Sequence, residues 1–256
     1  MENPISKFMP QFFGEYPKPF LKFIKDVSIA PNQNSEEIKE LLWKAYEFGS
    51  RYHEGQKRKS GKPYFSHCVA VATTLAKWKM DTTTIIAGLL HDTIEDTNAT
   101  LEEINDLFGK DPAQLVEGLT KISEITYSSR KEKQVGNFMK MLLSVAQDMR
   151  VIIIKFADRL HNMRTLEVLT PDKRRRIARE TLDIYAPIAN RLGMNNVRVE
   201  FEELGFAALY PMRARRISAA VKSIRGNRKE IVSQIQTSLE ACLEREGLPG
   251  RTIGRE

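Results

Sequence analysis

Apolar residues recur along most of this chain at spacings of three and four, the pattern of helices with one buried face, while the two-residue alternation of half-exposed strands is scarce. From Ser35, followed by Glu36 and Glu37, the positions Ile38, Leu41, Leu42, Ala45 and Phe48 predict a helix closing near His53. A polar, basic, glycine-bearing stretch at 54–63 reads as a loop, and the next helix is expected over 64–78 with His67 in its first turn. Asp81 caps an apolar helix from 82 to about 92, which closes on His91, Asp92, Glu95 and Asp96. Thr100 and Glu103 form a capping box for a short helix ending at Gly109, and Asp111-Pro112 opens another. Residues 123–133 read as a polar loop, followed by a helix over 137–147 with Phe138, Met141, Leu142 and Val145 on one face.

The β-branched run from Val151 to Ile154 has strand propensity, yet Phe156, Leu160, Met163 and Leu166 continue from it at helical spacing, so a helix is expected. Pro171-Asp172 starts a long basic helix that must kink or stop near Pro187, and Gly193 marks a further break. Helices are also predicted over 197–209, 212–224 and 229–246, the last ending at Gly247. Residues 1–34 mix proline, lysine and aromatics without a sustained period, which predicts a loosely packed arm with one short helix around 19–27. The chain is therefore expected to be all-α, with an N-terminal arm at 1–35, a compact helical bundle at 36–195 and a small helical connector at 196–249.

A length of 256 residues with 41% hydrophobic content suffices for a buried core. No apolar run approaches the roughly 20 residues of a membrane helix and no export leader is visible, so no membrane partner is expected. Cys68 and Cys242 stand apart, without the spacing of a zinc knuckle or redox pair, which suits a reducing cytoplasm. The formal charge of +7 lies mostly in the last third, where residues 172–256 hold 17 Lys and Arg against 11 Asp and Glu. Solvated helix faces account for that bias, and nucleic-acid binding is not indicated.

Four residues change the picture: His67, the adjacent pair His91-Asp92, and Asp158. Each alone reads as a packing or surface residue. Together they offer two imidazoles and two carboxylates, a mixed shell suited to Mn²⁺, Fe²⁺ or Zn²⁺ with positions left for water and substrate. Neighbours on a helix point about 100° apart, so a His-Asp pair converges only at a helix end, curling around a point outside it. An apolar helix that ends in four titratable groups would bury charge at a cost unless a metal or partner compensates.

The order His67, His91-Asp92, Asp158 is similar to the pattern of the HD phosphohydrolase superfamily. Five blocks in sequence are narrower still: QKRKSGKPYFSH ending at His67, AGLLHDTIEDT from Ala87, VEGLTK from Val116, DRLHNMRT from Asp158 and ETLDIYAPIANRLG from Glu180. They resemble the N-terminal hydrolase region of the RelA/SpoT homologue (Rel) family, and the likeness covers about residues 36–256. It implies an HD-domain helical bundle that removes the 3′-pyrophosphate of guanosine tetra- or pentaphosphate, (p)ppGpp, giving GDP or GTP and pyrophosphate in the stringent response. The implied cofactor is Mn²⁺, held by His67, His91, Asp92 and Asp158. Glu95 and Asp96 would orient the attacking water and handle protons at the leaving 3′-oxygen, either residue in either role. Arg58 and Lys59 are placed to meet phosphate or stack on the base, and Ser60, Asn162 and Thr165 are implied nucleotide contacts.

The stretch from Gly250 to Glu256 resembles the first residues of the family's synthetase domain, so the chain is expected to be part of a longer bifunctional protein with that GTP pyrophosphokinase domain in cis. Lys62 stands where the family usually has Glu, Cys68 where it has Pro and Phe156 where it often has Leu, and none of these is an implied ligand. The intact His-Asp pair favours an active hydrolase. Two rivals remain: an HD phosphohydrolase for another nucleotide, and a regulatory module that binds alarmone without turnover.

Overall fold

Two apolar helices close tightly on each other at the centre of the molecule because a glycine lets them. The computed structural model describes residues 16–27, 35–123, 148–225, 228–250 and 252. In it α1 spans Lys18–Ile24, α2 Ser35–Tyr52, α3 Phe65–Lys77 and α4 Thr82–Leu90. A Cβ placed on Gly88 of α4 would meet Leu75 Cδ1 of α3, so a larger residue there would have to push the Leu75 side chain aside. Asp81 caps α4 by accepting from the Thr84 amide at 3.0 Å, and Thr84 through Leu90 are all buried. The short α5, Thr93–Asp96, comes immediately after it.

Next come α6 (Leu101–Phe108) and α7 (Lys110–Ser123). The capping box before α6 forms as expected: the Glu103 amide donates to Thr100 Oγ1 at 3.2 Å and the Thr100 amide to Glu103 Oε2 at 2.9 Å. Helix α7 starts at Lys110, one residue before the expected Asp111-Pro112 signal. The loop expected at 123–133 and the helix expected at 137–147 lie, apart from Ser123, outside the described residues.

Helix α8, Met149–Arg164, explains why its sequence read ambiguously. Val151, Ile154 and Ala157 pack into a first core shared with α1 to α7. Ile152, Phe156, Leu160 and Met163 pack into a second core with helices later in the chain. A helix buried on both sides shows a nearly continuous apolar run, which local propensity confuses with a strand. Among the described residues there is no strand, only one isolated bridge between Lys57 and Pro63 that closes the loop after α2.

The second core is completed by α9 (Pro171–Glu180), α10 (Ala186–Arg191) and α11 (Asn195–Leu209). Between α9 and α10, residues Thr181–Tyr185 form a π-helical turn immediately before Pro187, the expected interruption. Val197 and Phe201 of α11 are buried against this core, with Phe201 edge-on to Phe156 at 5.9 Å. The hydrophobic core thus runs on past residue 195, where the sequence suggested a bundle would end. Beyond it, α12 (Pro211–Arg225) and α13 (Arg228–Arg245) expose Met212, Ile217, Ile235 and Leu239.

The short helix expected around 19–27 is α1, and among the described residues of the N-terminal segment it is packed rather than loose: Phe20 and Phe23 are buried in the first core, and the Phe20 ring meets Trp43 at 5.0 Å and Tyr46 at 5.4 Å. Two aromatics on one turn anchor this short helix without a longer period to reveal it. Among the described residues no helix is long and apolar enough to cross a membrane.

Candidate active site

The His-Asp pair occupies the junction where α4 stops and α5 begins. The expected helix to about residue 92 ends at Leu90, because Asp92 adopts φ −98° and ψ −3°, a bridge conformation that bends the chain. That bend lets adjacent side chains face one point. His67 comes to the same point from the first turn of α3, and Asp158 from the middle of α8.

Four side chains expected as metal ligands therefore lie together. His67 Nε2 is 3.3 Å from Asp158 Oδ1 and 3.5 Å from Asp92 Oδ2, and His91 Nε2 is 3.1 Å from the same Asp92 oxygen. Ligand atoms of His67, His91 and Asp158 all fall within 4.8 Å of one another. His91 is completely buried and its Nδ1 donates to the Gly88 carbonyl at 2.9 Å, which leaves the Nε2 lone pair facing Asp92 without a hydrogen-bond partner. Acceptor against acceptor in a buried place requires a cation or a proton between them. These residues fit a divalent metal.

The tautomer of His67 is fixed by elimination. Its Nδ1 lies 2.7 Å from His161 Nδ1, and Arg58 Nη1 lies 2.9 Å from that same His161 nitrogen. A guanidinium only donates, so His161 Nδ1 accepts, His67 Nδ1 carries the hydrogen, and His67 Nε2 presents its lone pair to the two carboxylates. A parallel link runs through Asn162: Arg58 Nη2 donates to Asn162 Oδ1 at 2.7 Å, and Asn162 Nδ2 donates to Asp158 Oδ1 at 2.6 Å. Asn162 sits four residues after Asp158, one turn along the same face.

The expected catalytic pair lies beside the cluster. Tyr64 Oη is 2.8 Å from Asp92 Oδ2 and 2.6 Å from Asp96 Oδ2, so one phenol hydroxyl lies within hydrogen-bonding reach of a candidate metal ligand and a candidate proton carrier. Gln56 Nε2 holds the Asp96 carbonyl at 2.8 Å. Glu95 and Asp96 are both exposed on α5. Glu95 acts on Lys155, a buried α8 residue: burial works against the ammonium, but Asp158, Glu95 and Asp92 outweigh it and keep the lysine charged.

Electrostatics agree with a site built for a cation. Burial opposes ionisation of Asp92 and Asp158, yet His91 for Asp92 and His67 for Asp158 hold both well below the usual carboxylate range. Burial also opposes charging His91, but Asp92 overcomes it and raises His91 to about 9, the value of a ring whose partner is a proton. His67 is lowered by burial, and His161 falls to about 3 through burial, His67 and Arg58, so His161 remains a neutral acceptor.

A cleft of about 830 Å³ adjoins the cluster between the loop after α2 and the end of α8. Its walls carry Lys57, Arg58, Lys59, Lys62, Arg159, Arg164 and Lys173 against the acidic Glu167, a lining that concentrates anions. All five residues expected to contact nucleotide, Arg58, Lys59, Ser60, Asn162 and Thr165, line it. Tyr64 and His161 line it too. Its volume lies within the range of roughly 300–1,000 Å³ usual for small-molecule sites. Asp96 additionally borders a second cavity of about 460 Å³ with Arg51 and Gln56.

Comparison with known families places this geometry: an HD-domain family model matches residues 45–195, which contain every residue of the cluster. The chain belongs to the HD-domain family. Over 221 residues, 86% of its length, it is 53% identical to the bifunctional (p)ppGpp synthase/hydrolase SpoT of Escherichia coli K12. It is 51% identical over 233 residues, 91% of its length, to a guanosine-3′,5′-bis(diphosphate) 3′-pyrophosphohydrolase of Vibrio cholerae. The chain spans about a third of the length of these curated relatives, 31% and 33% respectively. Among solved structures, a metazoan orthologue of SpoT described as hydrolysing ppGpp aligns with a TM-score of 0.52 and 27% identity, covering 68% of this chain and 96% of that one.

The HD domain implies a divalent metal. Three neighbours of the cluster are not singled out by the sequence: Tyr64, His161 and Lys155. Each sits one helical turn from a residue that was read, Tyr64 before His67, Lys155 before Asp158 and His161 after it, and that spacing was the available signal.

Proposed function

We propose that this chain hydrolyses the 3′-pyrophosphate of (p)ppGpp, using Mn²⁺ held by His67, His91, Asp92 and Asp158. One observation carries the reading: the buried Nε2 of His91 lies 3.1 Å from Asp92 beside His67 and Asp158, in a cluster that shares Tyr64, His161 and Asn162 with a strongly basic cleft. Relatives named for this activity support the choice of substrate. When bound, the cation supplies Lewis acidity, which lowers the pKa of water and offsets phosphate charge.

The chain's own residues account for the remainder. Arg58 uses two of its five N–H donors on His161 and Asn162, and the others are available to a diphosphate oxygen. Lys59, Ser60 and Thr165 line the same cleft and would hold the nucleotide. Water adds to the phosphorus next to the ribose, the bond to the 3′-oxygen breaks, and a proton must leave the water while one reaches that oxygen. Asp96, joined to the cluster through the Tyr64 hydroxyl, and Glu95, adjacent on α5, carry those protons. The greater length of the relatives supports a synthetase domain in cis, and the substrate class together with two unpaired cysteines supports a cytoplasmic setting.

Product analysis tests this reading. With Mn²⁺, ppGpp is expected to give GDP and pyrophosphate, while deoxynucleoside triphosphates stay intact. Release of orthophosphate, or faster turnover of a deoxynucleotide, would assign the HD domain a different substrate. Tight ppGpp binding without product would make it a binding module.

A further inference from the structure

Cys68 comes directly after His67 on α3 and is fully buried, yet the proposed hydrolysis makes no use of it. Successive helical positions diverge by about 100°, so His67 and Cys68 address the same helix junction from two sides. The Cys68 Sγ, a ring nitrogen of His91 and a carboxylate oxygen of Asp92 all lie within 4.8 Å of one another. The second observation is independent of the thiol: His91 Nε2 is completely buried, has no hydrogen-bond partner and faces Asp92.

We infer that the site has a second coordination mode, in which a thiophilic divalent cation such as Zn²⁺ or Cd²⁺ is held by Cys68, His91 and Asp92 in place of the oxygen-preferring ion assigned to His67, His91, Asp92 and Asp158. The two modes share His91 Nε2 and the Asp92 carboxylate, so they exclude each other. Thiolate ligands select soft metals, whereas carboxylates suit Mn²⁺. Bonds of about 2.3 Å to sulfur and about 2.0 Å to imidazole span this trio after small side-chain movements. The thiol proton passes to solvent as the sulfur–metal bond forms. Thiophilic cations then act as inhibitors that compete with Mn²⁺ and depend on Cys68. The inference rests on the metal-centre reading, with Cys68 as the added element.

The test uses Co²⁺, Cd²⁺ and Mn²⁺ with a C242S protein, whose only cysteine is Cys68, and with the same protein carrying Cys68→Ser. Co²⁺ is expected to give a thiolate-to-metal charge-transfer absorption in C242S that is absent after Cys68→Ser. Cd²⁺ affinity should fall at least about tenfold with Cys68→Ser, the scale on which supporting groups tune metal sites. Mn²⁺ affinity should stay unchanged, which also shows that the variant is folded. Mn²⁺ binding with no charge-transfer band in C242S, or Cd²⁺ affinity equal in both proteins, overturns the second mode alone. Failure of C242S to bind any of the three ions overturns the metal-centre reading as well.

Discussion

His67 and His161 meet nitrogen to nitrogen, Nδ1 to Nδ1, at 2.7 Å. Because Arg58 donates to the same His161 nitrogen, the contact dictates which His67 nitrogen is left to coordinate. Replacing His161 with leucine removes the acceptor and is expected to weaken Mn²⁺ binding by about 10- to 100-fold, the usual effect of losing such a partner. His161→Asn keeps a carbonyl acceptor and should retain most of the affinity. Electron paramagnetic resonance titration with Mn²⁺ measures both, and equal affinities in the two variants would remove the tautomer argument.

Tyr64 links the metal cluster to Asp96. Asp96→Ala or Glu95→Ala is expected to reduce turnover by about 10²- to 10⁴-fold, the range of general acid–base contributions, while Mn²⁺ still binds. Tyr64→Phe leaves both carboxylates present and should cost less, about tenfold in kcat. Loss of Mn²⁺ from the Glu95 or Asp96 variant would show that the wrong carboxylates were taken as ligands.

The raised His91 value sets a pH dependence. Its metal-free value, about 9, exceeds the ordinary 6.5, so this group's contribution to the stability of the metal-free protein is complete below pH 6.5 and disappears as pH rises through about 9. A cation takes the same lone pair and must displace that proton. Mn²⁺ affinity should therefore climb up to tenfold per pH unit between 7 and 9, then flatten. Calorimetry in buffers of different ionisation enthalpy would show up to one proton released per ion at pH 7. Affinity that is flat over this window contradicts a protonated His91.

Much of this site was legible because its residues break their context. Asp92 and Asp158 interrupt buried apolar helices, and a capping residue such as Asp81 or Thr100 marks its helix by side-chain chemistry alone. Other features depended on partners distant in sequence. Phe20 and Phe23 belong to a core only because Trp43 and Tyr46 come to meet them. The end of α4 at Leu90 depends on the bend at Asp92, which the apolar period does not encode. His161 and Tyr64 are ordinary helix residues until the fold aims them at His67 and Asp92.

Stability should report the anchoring of α1. Phe20→Ala empties a fully buried ring site and is expected to cost about 3–5 kcal/mol in denaturant unfolding. A change below about 1 kcal/mol, the scale of most surface substitutions, would restore the picture of a loose arm.

Gly49 offers a test that couples packing to the site. A Cβ there would lie 2.4 Å from Phe65 Cε2, two residues before His67. Gly49→Ala should destabilise by about 1–3 kcal/mol through overpacking. Mn²⁺ affinity should fall with it, because displacing Phe65 shifts the first turn of α3. Unchanged metal affinity in a destabilised protein would show that His67 is held independently of that ring.

In the proposed function one divalent cation, gathered by His67, His91, Asp92 and Asp158, makes this chain a pyrophosphohydrolase. Stripping the protein with chelator, returning Mn²⁺ in steps and following pyrophosphate release from ppGpp tests it most directly. No turnover is expected in the stripped protein, activity should saturate at one ion per chain, and none should be recovered in Asp158→Ala. Pyrophosphate release that survives chelation, or that Asp158→Ala leaves intact, would contradict it.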